Sequence, residues 1–150
     1  MKGVRSHEDL ICWKLADELR LTVYALVNDG SIVRDFKLRD QLRDAASSAP
    51  RQMAEGFGRY YPKDFARLLR GANGELKELQ DALRDGVERG HFTLEQIVPP
   101  IRLAKRSSKA STNLIAYLRT AKPPDEKRTR GGESTKVPEP TELREPTEPR

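Results

Sequence analysis

The sequence predicts an all-α protein: an antiparallel up-and-down four-helix bundle over residues 1–120, followed by a disordered Pro/Glu/Thr-rich tail over residues 121–150. Three observations predict it. Apolar residues recur every three or four positions along four stretches, with almost none of the alternation a strand needs. Short segments containing Gly, Asn, Asp or Pro separate those stretches. From Ala121 onward the chain holds six of its ten prolines and no aromatic residue, too little apolar surface to offset the entropy of ordering.

The first stretch opens at Ser6–Asp9, where Ser6 can cap and Asp9 sits near the positive helix end. Leu10, Trp13, Ala16, Leu19, Val23, Tyr24 and Val27 follow at helical spacing, and Asn28-Asp29-Gly30-Ser31 stops the helix. The second stretch runs from Leu38 to Phe57. Leu38, Leu42, Ala45, Ala46, Ala49, Met53 and Phe57 form its apolar stripe, and Pro50 within it predicts a kink. Beside the stripe lies a polar row, Gln41, Asp44, Ser48, Gln52, Glu55 and Arg59.

The third stretch begins with Pro62, a residue suited to the first helical position, and its core face is Phe65, Leu68, Leu69, Ala72, Leu76, Leu79, Leu83 and Val87. Gly71 and Gly74 lie inside it. Each costs a helix about 1 kcal/mol relative to alanine, which predicts close approach of a neighbouring helix at that level. The fourth stretch follows Gly90. Thr93 can cap a first turn, but Pro99-Pro100 interrupts it, so the continuous helix is predicted to start near Pro99. Ile101, Ala104, Ser108, Ser111, Ile115 and Leu118 are expected to face inward.

Charge directs the functional reading. Lys and Arg number 28 against 23 Asp and Glu, and the tail carries seven of each sign, so the whole excess of +5 sits on the bundle. In the fourth stretch no acidic residue occurs between Glu95 and Asp125, while Arg102, Lys105, Arg106 and Lys109 recur at intervals that place them on one helical face. Cations about one turn apart can follow a phosphate backbone. A weaker row, Lys63, Arg67 and Arg70, lies along the third stretch and is diluted by Asp64. Tyr60 and Tyr61 follow Arg59 in a loop, where they can stack on bases or cover a bundle end.

Catalysis is not expected. The row containing Gln41, Ser48, Gln52, Glu55 and Arg59 has no histidine base or glycine-rich phosphate loop beside it, so it reads as a structural hydrogen-bonded row, with Glu55 held by Arg43 or Arg59. No metal or cofactor is expected. Arg84 and His91 have the spacing of the arginine–histidine pair in the four-helical ribonucleases of toxin–antitoxin systems, but Gly86 and Gly90 intervene and place His91 in a loop. No apolar run approaches the roughly 18 residues of a membrane span, no signal peptide is evident, and the single Cys12 leaves no internal disulfide. A reducing cytoplasm is the expected compartment.

Two segments carry a resemblance: Leu38-Arg39-Asp40-Gln41-Leu42-Arg43-Asp44-Ala45-Ala46-Ser47-Ser48-Ala49-Pro50 with Met53-Ala54-Glu55-Gly56-Phe57-Gly58-Arg59, and Asp64-Phe65 with Leu68-Leu69-Arg70-Gly71-Ala72-Asn73-Gly74-Glu75-Leu76-Lys77-Glu78-Leu79. Together with Glu8-Asp9-Leu10 and Trp13 they resemble the bacterial four helix bundle protein family over residues 7–120. That family includes the ribosomal RNA intervening-sequence proteins and the accessory variability protein of diversity-generating retroelements. The resemblance implies a barrel-shaped homopentamer and, for the accessory members, binding of nucleic acid and of a reverse transcriptase. Gln52 stands where relatives usually carry Asn, and Glu75 where a small residue is common. The resulting expectation is a non-enzymatic, oligomeric basic scaffold for RNA or DNA. The alternatives are a protein–protein adaptor with an incidental basic face, or a small ribonuclease using Arg84 and His91.

Overall fold

The computed structural model describes residues 3–122 together with 137 and 138. Four helices form a closed square: α1 (Ile11–Leu26), α2 (Phe36–Phe57), α3 (Pro62–Glu88) and α4 (Leu94–Leu118). Each packs on its neighbour in sequence, and α4 closes the square against α1. The two connections α1–α2 and α3–α4 meet at one end, where Ser31 and Asp35 of the first both contact His91 of the second. This arrangement is the antiparallel bundle that the short loops require.

The apolar stripes meet in one core. Leu19, Leu42, Met53, Leu69, Leu76, Leu79, Leu83 and Leu114 have essentially no exposed surface. Burying each such side chain contributes about 1.5–3 kcal/mol, so packing, far more than helix propensity, holds the four elements together. α1 turns slightly relative to the expected stripe: Cys12 and Leu15 join the core while Trp13 and Tyr24 are only half-buried. Ser6 caps a single 3-10 turn, His7–Asp9, through a reciprocal box with Asp9, and the α-helix proper begins after Leu10.

Three other expectations are corrected. α4 does not wait for Pro99 but starts at Leu94, because Thr93 and Gln96 form a capping box that holds the first turn. The two prolines then remove backbone donors only in the second turn, at a φ that suits a helix. With this register Ser111 is buried as expected, but its companion is Ser107, whose hydroxyl donates to the Cys12 carbonyl at 2.8 Å, while Ser108 is only half-buried. The paired glycines of α3 also divide. A Cβ on Gly71 would run into the side-chain amide of Gln52 on α2, whereas one on Gly74 would have nothing within 4 Å. Only the first marks a close helix approach.

α3 ends in a glycine cap. Gly90 adopts φ +82°, and the amides of His91 and Gly90 donate to the carbonyls of Gly86 and Val87, which satisfies two of the last orphan acceptors. The expected tail lies outside the described residues apart from its first two residues and Val137–Pro138. Those last two pair antiparallel with Gly3–Val4, a short strand contact that composition did not foretell.

Candidate nucleic-acid interface

α4 presents its cations outward. Arg102, Lys105 and Lys109 are exposed, and Arg106 is half-buried at the flank of the row. The same stripe continues through Thr112 and Ala116 to Arg119, all exposed. One helical turn advances about 5.4 Å, so Arg102 and Lys109 stand about 10 Å apart along the axis. Among the described residues, neither Lys105 nor Lys109 reaches a carboxylate within ion-pairing distance. The reason is compositional: α4 has a single carboxylate, Glu95, in its first turn.

The row on α3 is exposed as well, at Lys63, Arg67 and Arg70. The Asn73 amide donates to the Thr112 hydroxyl at 3.3 Å, which sets the register of α3 against α4. In an antiparallel pair this contact puts Lys77 of α3 level with Lys109 and Lys105 of α4, and Arg70 level with Ala116. Lys77 is exposed; in the sequence it continues the Lys63, Arg67 and Arg70 face together with Asp81 and Arg84, where the mixed sign makes it read as ordinary surface. Its neighbours on α4, not those on its own helix, are what matter. Further along α3, Arg84 pairs with Asp81 at 3.3 Å and Arg89 with Asp85 at 2.8 Å, so the basic character fades toward that end.

The family described as 23S rRNA-intervening sequence protein matches residues 8–113 of the 150. The chain belongs to that family. No curated protein matches it. The span shared with the 23S rRNA-intervening sequence protein family includes α1, α2, α3 and most of α4, and with them both cationic rows.

Within this intervening-sequence fold the polar row of α2 is dispersed over the surface. Gln41, Asp44 and Glu55 are exposed, Ser48 and Gln52 half-buried. Glu55 pairs with Arg59 at 2.5 Å, Arg51 donates to the Ser48 hydroxyl, and Gln52 packs over Gly71. Arg43 lines a separate shallow cleft with Tyr24, Asn28, Asp44 and Ser47. Across the α2–α3 groove, burial and the charge of Glu78 push the Glu75 carboxyl above its ordinary pKa, with Asp44 adding to the effect and Arg51 opposing it.

The ribonuclease-like spacing does not produce a joint site. Arg84 is engaged by Asp81, while His91 is held between Asp35 and Ser31, its Nε2 donating to Asp35 Oδ2 at 2.9 Å and its Nδ1 lying 2.7 Å from Ser31 Oγ. Asp35 also accepts from Arg89 and from the Leu38 amide, capping α2. The hydrogen bond from His91, then that from Arg89, lowers the Asp35 pKa. This cluster ties the two loops together, and its members lie too far apart in sequence for spacing to expose it. Cys12 carries no accessible chemistry: burial pushes its thiol up to about 12. Among the described residues no group of His, Cys, Asp or Glu is placed to hold a metal ion, and no helix is long and apolar enough to cross a membrane.

Proposed function

We propose that this chain is a non-enzymatic nucleic-acid-binding subunit of a homo-oligomer, with Arg102, Lys105, Arg106 and Lys109 of α4 as the contact row and Lys63, Arg67 and Arg70 of α3 as its extension. The observation that carries the reading is a helix face with four cations within about two turns, Arg102 to Lys109, three of them exposed, and a single carboxylate on the helix, Glu95, in its first turn. Such a face pays little desolvation to meet phosphate, and its binding energy comes from released counterions. The family's description supports RNA as the natural polyanion.

Assembly multiplies a weak contact. A pentamer, the state implied by the resemblance to retroelement accessory proteins, repeats the row five times and raises avidity with no improvement of any single contact. The same resemblance nominates a reverse transcriptase as protein partner, and the single Cys12 a reducing cytoplasm as the setting. Filter binding of single- and double-stranded nucleic acid across a salt series tests the central part. Binding is expected to weaken steeply with salt, and replacing Arg102, Lys105, Arg106 and Lys109 by glutamine is expected to weaken it several-fold at unchanged melting temperature. Absent or salt-insensitive binding would refute it.

A further inference from the structure

We infer that the seam between α3 and α4 is a track for one unpaired nucleic-acid strand, running from Arg84 and Arg102 at one end to Tyr60 and Tyr61 at the other. This rests on the nucleic-acid reading above and specifies its ligand. The Asn73–Thr112 hydrogen bond fixes which residues face each other across the seam. At about 1.5 Å per residue from that contact, the cations met in turn are Arg102, Lys105, Lys77, Lys109, Arg70 and Arg119. Four come from α4 and its cap and two from α3, spread over a length of about 25 Å. Packed helix axes stand about 8–10 Å apart, so these charges occupy a strip suited to one phosphodiester chain rather than to the two strands of a duplex. Glu78 and Asp81 are the carboxylates on the exposed side of α3 at this level, and Asp81 is already engaged by Arg84.

The end of the strip supplies the second, independent argument. Tyr60 and Tyr61 precede α3 and are 44% and 54% exposed, with their rings packed edge to face at 5.0 Å. Lys63 and Arg67 lead from α3 toward them. Exposed aromatic faces beside a cationic path bind bases by stacking, which demands that the bases be unpaired. A duplex offers its stacked bases to no such surface. The phosphates would therefore lie on the seam and the bases at one end on the tyrosines.

Fluorescence anisotropy with the full chain separates the possibilities, using a labelled twelve-nucleotide oligouridylate and a twelve-base-pair RNA duplex as probes. The single strand is expected to bind about tenfold more tightly than the duplex, and Tyr60→Leu with Tyr61→Leu to remove about that factor from the single strand alone. For about four phosphate contacts, affinity should fall about 50-fold between 50 and 200 mM salt. Lys77→Gln should weaken binding, and Lys14→Gln with Lys37→Gln, on other faces, should not. Equal or tighter duplex binding, or indifference to the tyrosine changes, would overturn the single-strand track while leaving nucleic-acid binding intact. Failure of both probes to bind would overturn the function itself.

Discussion

Three glycines of α3 provide a graded test of how the bundle packs. In a helix interior, alanine is favoured over glycine by about 1 kcal/mol. At Gly74 nothing lies within 4 Å of an added Cβ, so Gly74→Ala should stabilise the protein by about that amount. At Gly71 the new methyl meets the amide tip of Gln52, a side chain free to swing outward, and the gain and the lost contact should roughly cancel. At Gly86 the methyl would stand 2.5 Å from two ring carbons of Phe92, and that ring is buried. Overpacking of this kind costs about 1–3 kcal/mol, so Gly86→Ala should destabilise despite its better propensity. The backbone makes the strain harder to relieve, because the Gly86 carbonyl accepts from the His91 and Phe92 amides that hold the ring in place. Urea unfolding followed by helical circular dichroism, at one protein concentration, reads the order as shifts in midpoint at constant slope. A destabilised Gly74→Ala would contradict this packing, since it would mean that α3 is covered there by something packed on its outer face.

Because the Glu75 pKa is raised above its ordinary 4.5, chiefly by burial and then by Glu78, the folded protein holds that proton more tightly than the unfolded chain does. Its favourable contribution is complete below about that ordinary value and is lost as the pH rises through the elevated one, so Glu75→Gln should raise thermal stability at pH 7 and flatten its dependence on pH above 4.5. Ser107→Ala removes the hydroxyl that joins α4 to the Cys12 carbonyl; that carbonyl keeps its helical partner in α1, so the loss should cost about 0.5–1.5 kcal/mol in urea unfolding.

The four helices were legible because each stripe repeats over several turns, and one wrong position does not erase it. Pro62 and Thr93 were legible too, as chemistry at helix starts acts on immediate neighbours. What failed was register. Reading Pro99-Pro100 as a barrier moved the start of α4 by five residues, and choosing Ser108 over Ser107 misplaced one side chain by about 100° around the helix. The cationic row of α4 could be read directly, since one helix supplies it. Lys77 could not, because its importance depends on lying level with Lys105 and Lys109 across an interhelical hydrogen bond. The Asp35–His91–Ser31 cluster was hidden for the same reason.

Lysine acetylation footprinting, with and without oligouridylate and read by mass spectrometry, tests the cationic seam most directly in whatever assembly the protein forms. Lys77, Lys105 and Lys109 are expected to react readily in the free protein and to become protected by the oligonucleotide, while Lys14 and Lys37 react equally in both samples. Lysines on the seam that are already unreactive without nucleic acid, or that stay reactive with it bound, would contradict the seam as the binding surface.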